Sequence, residues 1–372
     1  MNGPQKDVIA LPLAGSHLIT GPPGSEKTNL LLLRGDYMTL AGKPDIVIIV
    51  FSRTLQEFIT SGAEGYAFPP DKVQTSRRWA QQLLVQYEVF TNPPDTFEEQ
   101  RDYFLNQLKG LVEKRNLYHI YDAILLDEAQ DYLPDEIELF GRLARVLFAV
   151  ADSRQKIYAT PDPLDVLRGL VHGKEHSLRY QYRCGRQICK LADALGKDSA
   201  GYAPLLPTSH YNEPVRPSSV EHNSSQSLSR QTKKVMEKLP AQLKAYPDEL
   251  IGVLCPLSAE VDEVWEVLSG SPLGNLCILQ KGGEHSAFVR GKPIVVGTFH
   301  SAKGIEFRAL HLAAYETVQV ATQHSVHGSD SVQDHNVNPL FGRFARLLRK
   351  GASPARTSEG LAQDQGRVRR KE

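Results

Sequence analysis

From residue 17 to about 315, short apolar runs of strand length alternate with longer stretches whose apolar residues recur at helical spacing. That alternation marks an α/β fold with parallel sheets, because a parallel strand needs a crossover helix before the next one can pair. Strands are expected at 17–20, 46–51, 73–75, 123–126 and 155–159. Helices are expected at 29–33, through Leu55, Phe58 and Ile59, and over 78–87, 96–115 and 136–147. In 96–115 the apolar positions Phe97, Phe104, Leu105, Leu108, Leu111 and Val112 have helical spacing with charges between them, so this helix covers a sheet from outside.

The pattern changes character near 161–168, and a second α/β set follows. Helices are expected at 186–194 and 231–243, on either side of an irregular Pro/Ser-rich stretch over 203–229. Strands are expected at 251–255, 276–279, 294–298 and 309–313. The division that results is an N-terminal domain over 1–162 with a small helical insert at about 85–118, a C-terminal domain over 163–316, and a tail over 317–372. Gln, His, Ser, Gly and Arg dominate that tail, a composition that predicts disorder.

Composition narrows the picture only slightly. A chain of 372 residues with 41% hydrophobic and 23% charged residues is ordinary for a soluble globular protein. The formal net charge is zero, so a nucleic-acid partner has to be met by a local basic groove. Cys184, Cys189, Cys255 and Cys277 form no Cys-x-x-Cys pair and read as reduced core residues of a cytoplasmic protein. No apolar run has membrane-spanning length, and no signal peptide or membrane partner is expected.

Two motifs carry the chemistry. Gly21-Pro22-Pro23-Gly24-Ser25-Glu26-Lys27-Thr28 lies between an expected strand and an expected helix. There a Gly-rich turn offers backbone N–H groups and a positive helix end to phosphate. Lys27 would reach the β- and γ-phosphates of ATP, and the Thr28 hydroxyl would join a Mg²⁺ shell. Glu26 departs from the usual glycine: its side chain either crowds the loop and repels phosphate, or points to solvent at small cost. The second motif is the apolar run Ile124-Leu125-Leu126, which ends in Asp127-Glu128-Ala129-Gln130-Asp131. Asp127 would hold Mg²⁺ through water, and Glu128 would orient and deprotonate an attacking water.

With further pieces in order, the chain resembles the UvrD/Rep-type superfamily 1 DNA helicases. The Asp-Glu-Ala-Gln-Asp string is that family's form of the acidic motif, and Gln5 stands sixteen residues before Gly21, like the family's adenine-reading Gln. Val50-Phe51-Ser52-Arg53-Thr54-Leu55 is similar to the motif that touches single-stranded DNA. Ala151-Asp152-Ser153-Arg154-Gln155 is similar to the motif whose Gln senses the γ-phosphate. Tyr180-Gln181-Tyr182-Arg183 resembles the segment that supplies an adenine-stacking Tyr and an arginine finger. The run from Val296 to Phe307 resembles a motif whose Thr and His grip the DNA backbone and whose Glu lies near ribose, here Thr298, His300 and Glu306.

The resemblance implies two RecA-like P-loop NTPase domains with ATP and Mg²⁺ between them. It implies catalytic roles for Lys27, Asp127, Glu128, Gln155 and Arg183, with nucleotide held by Gln5, residues 21–28, Tyr182 and Glu306. Single-stranded DNA, in preference to RNA, would be met by Phe51, Ser52, Arg53, Thr75, Thr298 and His300. Movement would be 3′ to 5′, in DNA repair or replication. The family's large insertions are absent, and no convincing copy of its last, Arg-bearing motif follows Glu316; Gly342-Arg343-Phe344-Ala345-Arg346 is a faint echo. Three readings therefore stand: an active helicase or translocase, a catalytically impaired nucleotide- or nucleic-acid-binding module, and a P-loop ATPase of another kind.

Overall fold

A computed structural model of the chain describes residues 3–61, 65–152, 162–196, 202–222, 227–281, 284–285, 288–289 and 291–314. The elements of the first sheet run α1 (Gly3–Ile9), β1 (His17–Thr20), α2 (Lys27–Leu40), β2 (Ile46–Val50), α3 (Arg53–Ser61), β3 (Val73–Thr75), α4 (Ser76–Gln86), α5 (Phe97–Lys114), β4 (Tyr121–Leu126), α6 (Pro134–Leu143), β5 (Ala144–Ala151), α7 (Leu164–Leu170) and β6 (Glu175–Ser177). Six parallel strands take the order β3-β2-β4-β5-β1-β6. All five residues of β2 are buried, because helices cover both faces of the sheet. Val47 and Ile49 join Ile124 and Leu126 in the core beneath α4, α5 and α6. Ile46, Ile48 and Val50 join Ala123 and Leu125 on the other face, with α2 and α3. The period-two alternation of a strand thus divides one apolar run between two cores.

After α8 (Arg186–Gly196), the second sheet draws on α9 (Leu228–Ala245), β7 (Ile251–Cys255), α10 (Ser258–Ser269), β8 (Cys277–Lys281), β9 (Glu284–His285), β10 (Ile294–Thr298) and β11 (Ala309–Leu312). Its order is β11-β7-β10-β8-β9, parallel except for the short β8–β9 pairing. Val235 and Leu239 of α9 and Val261, Val264 and Leu268 of α10 pack over it. Two largely parallel α/β sheets are the expected architecture.

The differences are local. The helix expected over 136–147 ends at Leu143, and residues 144–151 form β5. This strand lies between β4 and β1 and is buried on both faces, so its apolar run carries no readable period. The strand expected at 155–159 falls outside the described residues, as does the tail expected over 317–372. The short edge strand β6 belongs to the first sheet, beyond the change of character near 161–168. Cys189, Cys255 and Cys277 are buried thiols, as expected, whereas Cys184 is only half-buried. Among the described residues no helix is long and apolar enough to cross a membrane.

Candidate functional site

The loop after β1 is shaped around two glycines. A Cβ on Gly21 would lie 2.8 Å from Ser25 Oγ and 2.9 Å from Leu178 Cβ, and one on Gly24 would lie 3.0 Å from Arg183 Cβ. Gly24 also has a φ of 74°, which glycine adopts without steric cost. The Lys27 ammonium is drawn back onto the loop, donating to Gly21 O at 3.0 Å and Pro22 O at 2.9 Å, with Asp152 Oδ2 3.9 Å away. Ser25 is buried, and its hydroxyl has no hydrogen-bond partner among the described residues. It faces a small cleft lined also by Gln5, Leu178, Arg179, Tyr180 and Tyr182. Gln5 and Tyr182, 177 positions apart, therefore share one cleft with the loop. Tyr182 N–H donates to Gly24 O at 3.0 Å and fixes that approach.

Glu26 takes neither of the orientations left open by its sequence context. Its carboxylate accepts a hydrogen bond from Arg183 Nε at 2.8 Å, and the same guanidinium is ion-paired to Glu306. Glu26 itself caps α2 with φ 71°, the left-handed region. That backbone costs a side-chain-bearing residue roughly 1–2 kcal/mol, whereas a partly exposed ion pair returns about 0–1 kcal/mol. Strain and pairing nearly offset.

β4 delivers the acids. Asp127 N–H continues the ladder by donating to Ile49 O at 3.0 Å, which carries the carboxylate to the strand's C-terminal edge. Thr28 Oγ1 donates to Asp127 Oδ2 at 3.0 Å, so loop and acid meet although 99 residues separate them. Burial, reinforced by the adjacent Glu128 charge, pushes the Asp127 carboxyl up to about 7. A divalent cation would favour the ionised carboxylate, and the hydroxyl–carboxylate pair with the orphaned Ser25 hydroxyl fits a Mg²⁺-nucleotide. Glu128 has φ 49° and accepts a hydrogen bond from the side-chain amide of Gln130, whose Oε1 in turn accepts from Asp152 N–H at 2.9 Å.

Two residues given no role by the sequence reading support these acids. Arg101 of α5 holds Glu136 by a forked ion pair and donates to Asp131 O at 2.8 Å, while Glu136 accepts from Leu133 N–H at 2.7 Å. Lys303, in the turn after β10, is paired with Asp131 and lies 3.6 Å from Glu128 Oε2. Lys303 falls within the run from Val296 to Phe307, but only its Thr, His and Glu point to a function. Arg101 has no sequence signal, being one charge among many on a helix exterior.

The strand-contact candidates fall into two sets. Phe51 is half-buried, edge-on to Tyr132 with ring centroids 5.7 Å apart. Ser52 Oγ donates to Lys303 O at 3.3 Å and accepts from Leu55 N–H at 3.1 Å. Arg53 is exposed and paired to Glu57 at 3.0 Å. Thr298 Oγ1 accepts from Ser301 N–H at 3.1 Å, holding the turn that bears half-buried His300. Phe51, Ser52 and His300 meet Lys303 at the seam between the sheets, and Thr298 lies at the start of the same turn. Thr75 lies apart, as the cap of α4, accepting from Arg78 N–H at 3.3 Å. Trp79 is core, its indole donating to Tyr121 OH at 3.1 Å. Gln155 lies outside the described residues.

No protein-family model matches the chain, and no curated protein matches it significantly. Among solved structures it is similar to the crystal structure of Pif1 helicase from Candida albicans, with 14% sequence identity and a TM-score of 0.40. That match covers 72% of this chain and 53% of the other, so the chain spans about half that structure's length.

Proposed function

We propose that the chain is an ATP-dependent motor of the helicase or translocase type, acting on single-stranded DNA in the 3′-to-5′ direction. The observation that carries this reading is the 3.0 Å contact of Thr28 with Asp127, which joins a phosphate loop to a strand-end acid pair. Gln5 and Tyr182 would hold the adenine, and Lys27 the β- and γ-phosphates. Thr28 and Asp127 would hold Mg²⁺, which when bound neutralises phosphate-oxygen charge. Glu128 would accept the proton of a water whose oxygen joins the γ-phosphorus as the bond to the β-bridging oxygen breaks. The first sheet, which takes in α7 and β6 beyond residue 162, and the second sheet would form the two domains that close on nucleotide and change their grip on a strand.

A second reading, a nucleotide- or strand-binding module with little turnover, is favoured by one observation: the Arg183 guanidinium is already paired with two carboxylates, Glu26 and Glu306. ATP turnover with and without oligo-dT separates the two. An active motor shows strand-stimulated hydrolysis that Glu128→Gln lowers by about a hundredfold or more, since a general base contributes roughly 10²–10⁴. Nucleotide binding without turnover in either protein selects the second reading.

A further inference from the structure

Lys303 is a residue at which the two sheets meet, against the strand-contact candidates Phe51, Ser52 and His300. Its side chain is 9% exposed, its ammonium is bound to the fully buried Asp131, and Glu128 Oε2 is 3.6 Å away. The same ammonium lies 5.8 Å from the centre of the Phe51 ring, and its backbone carbonyl accepts the Ser52 hydroxyl. One lysine from the turn after β10 thus touches the acidic turn after β4 and the segment after β2. We infer that Lys303 is a positioning residue through which an engaged strand controls Glu128, a role that rests on the motor reading above.

The physical basis is competition for one carboxylate. Glu128 is held from two sides, by the Gln130 amide and by the Lys303 ammonium. A carboxylate anchored in this way is not free to turn toward a water at the phosphate, and general-base catalysis depends on that reach. Thr298 and His300 stand five and three residues before Lys303, and Ser52 is bonded to it directly. A strand gripped by these residues shifts the turn and withdraws the ammonium. Asp131 keeps the lysine on the acidic side while no strand is bound. The ligand class is a single-stranded polyanion, sensed through the turn and not by direct contact with the buried ammonium.

The test compares the full chain with Lys303→Met and Lys303→Arg, measuring ATP turnover with and without oligo-dT and oligo-dT affinity by fluorescence anisotropy. Lys303→Met is expected to raise strand-free turnover about fivefold or more while the strand-stimulated rate stays within about threefold, so the stimulation ratio collapses. Lys303→Arg keeps the ratio because it keeps the charge. Should Lys303→Met fold poorly for want of a partner to Asp131, Asp131→Asn/Lys303→Met removes both charges and carries the same expectation. A ratio unchanged in these variants, or both rates falling together, overturns the role of Lys303 alone. Absence of strand stimulation in the unaltered chain overturns the motor reading, and this inference with it.

Discussion

Glu26 occupies a backbone conformation suited to glycine and carries its negative charge, paired with Arg183, beside a loop built for phosphate. Unrelieved, a like charge at 4 Å and an effective dielectric of 20 would cost ~4 kcal/mol, about a thousandfold in affinity. Its pairing with Arg183 and its partial exposure reduce that to about tenfold. Glu26→Gln and Glu26→Gly are therefore both expected to tighten Mg²⁺-ATP binding about tenfold, measured by isothermal titration. Glu26→Gly should also be about 1 kcal/mol more stable than Glu26→Gln, because it relieves the left-handed strain. Equal affinity in all three proteins would show that the carboxylate does not compete with phosphate. The presence of Glu26 was legible in the sequence, but its direction was not, because Arg183 stands 157 positions away.

At the level of elements, legibility follows burial pattern. β2 and β4 are readable because each is a short apolar run bounded by polar residues, and the acids at the end of β4 announce an edge. β5 merges with α6 because apolar residues continue through the junction at Ala144. α1 and α7 escape notice as seven-residue helices, too short to show a period. The β1–β6 edge has a chemical consequence of its own. His17 Nδ1 lies 3.2 Å from His176 Nε2. Burial, then the nearby Arg34 and His176, push the His17 imidazole down to about 4 from 6.5. The unfolded chain binds a proton below pH 6.5 that the folded chain refuses until about pH 4. This contribution is complete above pH 6.5 and is lost as pH falls toward 4, by about 3 kcal/mol at most. Urea midpoints of His17→Gln should accordingly depend less on pH across this window; parallel profiles for the two proteins would remove His17 as the cause.

The molecule as a whole has equal numbers of basic and acidic residues, so no long-range field draws a polyanion to it. Strand affinity must come from a few local contacts, and its salt dependence counts them: the slope of log K against log salt is about −0.7 per phosphate contact on a single strand. Arg53 is a good candidate for one of them, because its partner Glu57 is i+4 on an exposed helix face and holds it weakly. Arg53→Ala should make the slope shallower by about 0.7 in anisotropy titrations with oligo-dT. An unchanged slope would take Arg53 out of the interface. The seam between the sheets is also where pattern reading falls short. Thr54 and Gln280 meet there at 3.4 Å, 226 positions apart and with no periodicity to announce them.

Gln130 sets a final constraint. Its amide has one donor end and one acceptor end, and both are committed: the nitrogen to Glu128 and the oxygen to the backbone N–H of residue 152. The group works as a polarity key that turns only one way. Proline, lacking an N–H, is excluded from position 152, and the Glu128 oxygen it faces must accept rather than donate. A side chain with no charge of its own thus ties the acidic turn after β4 to the end of β5.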